Sequence, residues 1–428
     1  MKIRRGLSAI LVAAAITHGT SRGGGPVRLL SAGNSLSQES GRNLQEKPRE
    51  SAEPEPMPGD LDALRAIGYV DWDEEADLAR SGVTVHDTTR CCPGYQLFTD
   101  GVAKACVLDM DGRMVHAWEV KGGQRCGTFE LLEKGEVLVI DMDGRKLVRL
   151  DFFSNVIWQK SLAVHHDLGC AANGDVLVLI RGRPFDWQGR HVYFDGIARL
   201  SSGGEEISRW LAFKSLDVLR ALHPASALDL PADPPVPAEK PFDYYHMNSL
   251  EVLPATPLSA ADSRFRPGNL LVCCRNTNLI LVLDQETMAP TWHFGPGVLE
   301  MPHMPTMLAS GNVLLFDNGP FRKYSRVLEV DPRDSSIVWS YEGRSRGEFF
   351  SAWRGSCQRL ENGNTLICES ERGRAFEVTR DGDVVWEFWN PELSGGKRRR
   401  IYRMTRVPCA ILDPLLAASP AKHEEEDR

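Results

Sequence analysis

Three histidines, His166, His246 and His303, are the residues of this sequence best placed to do chemistry together. They lie up to 137 residues apart, yet each opens the first strand of a repeated unit. In a radial repeat protein, equivalent positions of successive units converge on one axis. His166 and His303 each stand eight residues before a turn glycine, Gly174 and Gly311, just as Gly127 and Gly355 stand before Gly135 and Gly363. An insertion before Gly268 breaks the count for His246, which aligns instead by its motif, HMNSLEVLP against HMPTML. Five strand starts can be compared, and three hold histidine in a chain that has only 11. A lone histidine there is usually structural, whereas three in one register point to a site. His165 should face the opposite way from His166, because side chains alternate along a strand. His86, His116, His191, His223 and His293 fall elsewhere and receive no role.

Converging imidazoles support two chemistries. Three can hold a zinc ion and leave a position open. Alternatively, one neutral imidazole attacks while cationic neighbours stabilise charge on a transferred group. Arg275, in LLVCCRNTNLILVLD, reads as an arginine inside an apolar strand pair downstream of His246, where it requires an anionic partner or a strong structural reason such as an ion pair with a core carboxylate. A fixed cation repels a metal but suits sulfuryl or phosphoryl oxygens, so it favours the second chemistry. There is no CxxC and no zinc spacing, and neither a metal nor a cofactor is expected.

The repeat that must position these residues has two marks. One is a polar turn followed by a strand ending in Trp118, Trp158, Trp210, Trp292, Trp339 or Trp386, at spacings of 40, 52, 82, 47 and 47. The wide gaps hold loops between Arg181 and Gly196 and between Phe213 and Tyr245. The other mark is a glycine hairpin, as in LLEKGEVLVI, CAANGDVLVL, MLASGNVLLF and RLENGNTLIC. Helical periodicity is nearly absent from residues 95 to 408. The expected fold is all-β, a six-bladed β-propeller over residues 91–412. The segment IYRMTRVP, residues 401–408, is expected to return and complete the first blade, removing exposed sheet edges.

A net charge of -8 without an extended basic face argues against nucleic acid as a partner, and Lys397–Arg400 reads as a solvated loop. Lys2, Arg4 and Arg5 followed by LSAILVAAAI form a signal-peptide pattern over residues 1–20. Its apolar run is short for a span, so export to the periplasm or beyond is expected, without stable membrane insertion. Residues 21–58 read as a disordered linker, 59–90 as a short helical or irregular extension with a helix from Asp60 to Tyr69, and 413–428 as a charged tail. Ten cysteines on an exported chain suggest some disulfides, while Cys273, Cys274 and Cys368 read as small core hydrophobes. Nothing in the sequence sets the oligomeric state.

The segments HHDLGCAANGDVLVL, YYHMNSLEVLP, CCRNTNLILVLD, HMPTMLASGNVLLFDNG and RLENGNTLICES resemble the bacterial arylsulfate sulfotransferase family, over residues 94–408. The resemblance implies an exported six-bladed propeller that moves a sulfuryl group from an aryl sulfate to a phenol, without phosphoadenosine phosphosulfate or metal. It implies a ping-pong reaction through a sulfohistidine. By motif, His303 matches the nucleophile, and His166, His246 and Arg275 match residues that bind and neutralise the sulfuryl oxygens. Asn248 matches a polar residue of the same site. In that mechanism neutral His303 attacks sulfur in line, and protonated His166 and His246 hold oxygens beside Arg275. Tyr244, Tyr245, Phe349, Phe350 and Trp353 are candidates to stack on aryl groups, Tyr245 first among them. The alternatives are a three-histidine metallohydrolase and a non-catalytic secreted propeller that binds a partner.

Overall fold

Runs such as VLVLI, LILVL and VLLFD are apolar at consecutive positions, a pattern that requires a strand to be buried on both faces. The computed structural model describes residues 72–73, 79–99, 103–123, 125–222, 241–394 and 396–418, and shows how that burial is achieved. Contacts divide the chain into two units, Met1–Pro56 and Met57–Arg428. The first unit, with the expected signal peptide and most of the linker, lies outside the described residues, as does the helix expected from Asp60 to Tyr69.

The described residues form six antiparallel sheets of at least four strands, and the all-β expectation holds. The second sheet comprises Cys126–Leu131, Val137–Asp141, Lys146–Leu150 and Val156–Ser161; the third, Val164–Cys170, Val176–Arg181, Asp195–Leu200 and Glu206–Leu211. The fourth holds Met247–Val252, Leu270–Cys274, Leu279–Leu283 and Pro290–Phe294; the fifth, His303–Met307, Val313–Asp317, Arg326–Asp331 and Ser336–Tyr341. The sixth holds Ser356–Arg359, Thr365–Glu369, Arg374–Val378 and Val384–Trp389, with Gly82–His86 as a fifth strand. In the first sheet, Arg403–Val407 from the far end of the chain pairs with Tyr95–Thr99, ahead of Lys104–Leu108 and Met114–Glu119. The late segment therefore supplies the missing strand.

Each sheet is sandwiched between two others. Leu177 and Leu179 pack with Leu250 and Leu270 of the fourth sheet, while Val176, Val178 and Ile180 of the same strand pack with Leu138 and Ile140 of the second. The circuit closes where Cys368, Trp386 and Phe388 of the sixth sheet meet Phe98 and Met404 of the first. Burying each such side chain contributes roughly 1.5–3 kcal/mol.

The recurring tryptophans lie in the fourth strand of each sheet, and most of them link one sheet to the next. Trp118 donates its indole N–H to Gly135 of the second sheet at 3.1 Å, and Trp158 to Ser202 of the third at 3.1 Å. Trp339 reaches Arg380 of the sixth at 2.9 Å, and Trp386 reaches Met110 of the first at 2.9 Å. A flat, donor-bearing side chain that crosses to the neighbouring turn explains the repeat of this residue type.

Four expectations require correction. The extension 59–90 contains the strand Gly82–His86, stabilised by pairing with Val384–Trp389. A helix, Cys409–Ala418, runs through the expected start of the tail because Leu412 packs against the first two sheets. Lys397–Arg400 is not a solvated loop: Lys397–Arg399 pairs with Trp72–Asp73, and Arg398 is fully buried, donating to the carbonyls of Asn390 and Arg80. All ten cysteines are free thiols, so the expected disulfides are not formed; Cys273, Cys274 and Cys368 are buried core residues. No helix among the described residues is long and apolar enough to cross a membrane.

If Trp386 closes the circuit as described, Trp386→Phe, which keeps an aromatic ring but loses the donor to Met110, should destabilise the protein by about 1–3 kcal/mol. Trp386→Ala should cost about 3–5 kcal/mol. Chemical denaturation measures both, and a change under about 0.5 kcal/mol for either, typical of a surface position, would contradict this role.

Candidate active site

The histidines are aimed by a shared backbone irregularity. Pairing between the first two strands slips between Cys126 and Phe129 in the second sheet and between Val164 and Leu168 in the third. It slips again between Met247 and Ser249 in the fourth and between His303 and Thr306 in the fifth. Such bulges bend a strand and redirect one side chain. At them His166 and His246 adopt left-handed backbone, with φ of 53° and 49°, and Met304 follows His303 at 48°. These conformations cost about 1–3 kcal/mol each and persist only where the surroundings enforce them.

The result is a buried cluster. The His166 and His246 rings lie 4.6 Å apart between centroids. His166 and His303 line a cavity of about 30 Å³ with Asn248, Arg354, Tyr402 and Arg403. Tyr402 immediately precedes the closing strand Arg403–Val407, so the first sheet contributes a phenol to the cluster. Its hydroxyl lies 3.1 Å from His166 Nδ1. The glycine at the equivalent position of the second sheet, Gly127, makes room for it: a Cβ there would sit 3.0 Å from the Tyr402 ring.

Hydrogen bonds fix which nitrogen of His303 is free. Asn318 follows the strand Val313–Asp317, and its amide Nδ2 donates to the carbonyls of Ser351 at 2.6 Å and Arg354 at 2.8 Å. Its Oδ1 must therefore face His303 Nδ1, 2.7 Å away, and accept a proton from it. The Met301 carbonyl, 3.2 Å from the same nitrogen, reinforces that tautomer. Nε2 is left as the unprotonated nitrogen. Burial pushes the protonation of His303 down to about 3, and the nearby Arg275 charge pushes the same way.

His246 is held by Asp243, which accepts from its Nδ1 at 2.6 Å and from its backbone N–H at 3.1 Å. Arg181 approaches the same carboxylate at 3.6 Å. Burial, then Arg275, lowers His246 to about 4, against the opposing pull of Asp243. Burial, followed by the charge of His246, also carries His166 well below its usual value. All three imidazoles are thus neutral near pH 7, which corrects the expectation of standing positive charge on His166 and His246. Fixed positive charge comes from arginine.

Arg275 is buried, but it begins the turn Arg275–Thr277 between two strands of the fourth sheet rather than lying inside a strand pair. Its Nε donates to Asn276 Oδ1 at 3.2 Å, and Asn276 donates to the Asp243 carbonyl at 2.7 Å, which ties it to the His246 loop. Arg403 is anchored by Asp167 at 3.0 Å. Asn248 donates to the Pro302 carbonyl at 2.8 Å, leaving its buried Oδ1 as an open acceptor among the described residues.

Of the residues expected from sequence, His166, His246, His303, Arg275 and Asn248 come together. Tyr245 does not: its ring is fully buried with Tyr244 and Phe194 in the core between the third and fourth sheets. Phe349 is likewise core. Apolar burial outweighs exposure for such rings, so neither offers a stacking surface. The residues not foreseen are Asp243, Asn318, Arg354, Tyr402 and Arg403. Aligning IYRMTR of the closing strand with YYHMNS of the fourth sheet matches Arg403 to His246 and Tyr402 to Tyr245, which would have brought both to notice. Among the described residues, no three His, Cys, Asp or Glu side chains are arranged to hold a metal ion, so the three-histidine metal alternative finds no ligand set.

Two sequence profiles, both described as arylsulfotransferase (ASST), match this chain, over residues 80–298 and 229–391. No curated protein sequence matches it. Among solved structures, a protein of unknown function from Bacteroides caccae is 14% identical, with a TM-score of 0.49, covering 72% of this chain and 97% of its own. A catalytically inactive virginiamycin B lyase from Staphylococcus aureus, with quinupristin, is 10% identical, with a TM-score of 0.43, covering 76% of this chain and 86% of its own. Likeness at this level carries no functional information. The profile matches do, and together they span the strands that bring His166, His246, Arg275 and His303 to one place: this chain belongs to the arylsulfotransferase (ASST) family.

Proposed function

We propose that the six sheets are the blades of one β-propeller and that the chain is an exported transferase. It moves a sulfuryl group from an aryl sulfate to a phenol through a sulfohistidine at His303, independently of phosphoadenosine phosphosulfate. The observation that carries this reading is the neutral His303 ring, locked by Asn318 with Nε2 unprotonated, beside the Arg275 charge.

Attack by Nε2 on sulfur forms an S–N bond as the S–O bond to the phenolate breaks. The transition state is loose, so positioning and charge stabilisation supply most of the catalysis. Arg275 and Arg354 offer fixed positive charge to the sulfuryl oxygens. The incoming sulfate ester is itself an anion, and its arrival raises the proton affinity of His166 and His246. One of them then protonates the departing phenolate, and in the second half-reaction it takes up the hydroxyl proton of the acceptor phenol as that oxygen bonds to sulfur and the S–N bond to His303 breaks. The Asn248 Oδ1 acceptor suits a phenol hydroxyl.

Under this mechanism, mixing with excess aryl sulfate releases a burst of phenol equal to the enzyme concentration. His303→Ala abolishes the burst, and Arg275→Ala lowers kcat by about 10²–10³. Stopped-flow absorbance reads both; absence of phenol release from every aryl sulfate tried would contradict the reading.

Protonation gives a separate check. Heteronuclear NMR of labelled imidazoles should find His303 neutral with its proton on Nδ1 from neutral pH down to about 4, since its protonation lies at about 3. A His303 that titrates near its ordinary value would contradict the assignment. The unfolded chain takes up these protons near 6.5 while the folded one does not. Stability contributed by the histidines is therefore lost as pH falls from about 6.5 towards 3.

A further inference from the structure

A second cavity adjoins the histidine cluster, and its lining residue Arg181 lies 3.6 Å from Asp243. It has a volume of about 1150 Å³ and lies between the second and third sheets. His165 lines this cleft and the adjacent His166 lines the small cavity, both at the start of the strand Val164–Cys170. The cleft is larger than a sulfuryl group requires and falls at the size of pockets that hold drug-sized molecules.

Its lining has two features. One is charge: Arg145, Arg181, Arg183, Arg209 and Lys214 line it and, among the described residues, no carboxylate does, although the chain has 58 Asp and Glu against 50 Lys and Arg. Two of these cations are partly engaged from behind, Arg209 by Glu206 at 2.8 Å and Arg181 by Asp243 at 3.6 Å. The other feature is aromatic. Phe185, Phe194 and Phe213 meet at centroid distances of 4.8–5.8 Å. Phe213 is 37% exposed, unusual for so large an apolar ring. An aromatic wall under a cationic rim complements a flat apolar molecule with an acidic edge.

We propose that this cleft binds the non-reacting part of the substrate, and that this part is an aromatic system bearing a second acidic group, a carboxylate or a sulfonate. That the bound molecule is a substrate rests on the transferase reading; that the cleft takes an aromatic anion rests on the cleft alone. Donor and acceptor occupy it in turn. Arg181 is the link to chemistry, because it touches the Asp243 carboxylate that holds His246. An acidic group drawing Arg181 into the cleft leaves Asp243 more fully to His246, and so favours the protonated imidazole that a leaving phenolate requires.

The test uses anilinonaphthalene sulfonate, a fluorescent aromatic anion whose sulfur is bonded to carbon and cannot be transferred. It should bind the full-length protein and its His303→Ala variant alike. Arg183→Glu and Lys214→Glu, both at exposed rim positions, should each weaken binding about ten-fold. A naphthol sulfonate should displace the probe better than naphthol does. In transfer assays, the ratio of KM for a naphthol sulfonate to KM for naphthol should rise about ten-fold in both variants. Equal probe binding in wild type and both charge reversals, or equal displacement by neutral naphthol, overturns the proposal. Charge-dependent probe binding without transfer from any aryl sulfate supports the cleft while contradicting the transferase reading.

Discussion

The hydrogen bond from His303 Nδ1 to Asn318 Oδ1 is the contact on which the rest of the site depends. It decides which ring nitrogen holds a lone pair, and it does so because both donors of the Asn318 amide are committed to carbonyls of another sheet. Ser351 and Arg354 belong to the segment that opens the sixth sheet, while Asn318 and His303 belong to the fifth. The tautomer of one side chain is therefore set by the packing of two sheets. That packing in turn requires the closed circuit of cores and the strand Arg403–Val407 that completes the first sheet. Loss of one such bond would leave a buried polar group unsatisfied, at a cost of about 1–3 kcal/mol.

Burial then divides the labour between residue types. In a site this dry, imidazole keeps its proton only at great cost, so His166, His246 and His303 rest neutral. Arginine as a residue type keeps its charge on burial, which suits Arg275 and Arg354 to the electrostatic role proposed for them. Under the proposed mechanism, the field that suppresses protonation is offset when a sulfate ester arrives. In that mechanism anion binding and acid catalysis are coupled through the proton affinity of His166 and His246. The strained φ values at His166 and His246 fit this picture of a cluster held in place by its scaffold.

The tryptophan repeat was legible because most of these residues share a physical task, bridging from a fourth strand to the next sheet's turn. The histidine register was legible for a related reason: identical hairpin geometry conserves the count to the turn glycine. Tyr402 and Arg403 were harder to see because they sit at the opposite end of the chain from the strand they join. Asn318 and Asp243 act through hydrogen bonds across loops, and no periodicity announces such partners. Tyr245 misled because an aromatic next to a site residue reads as a contact, yet its neighbours Phe194 and Tyr244 draw it into the core. Arg398, read as solvated, is buried because its guanidinium donates to the carbonyls of Asn390 and Arg80.

The central claim is that His303 Nε2 becomes bonded to sulfur. Acid-free quenching of the protein after exposure to excess aryl sulfate without acceptor, followed by peptide mass mapping, tests it most directly. The account predicts one added sulfuryl group per chain, located on the His303 imidazole and discharged when a phenol is supplied. A turning-over enzyme with no such adduct, or with the adduct on His166, His246 or Tyr402, would contradict it.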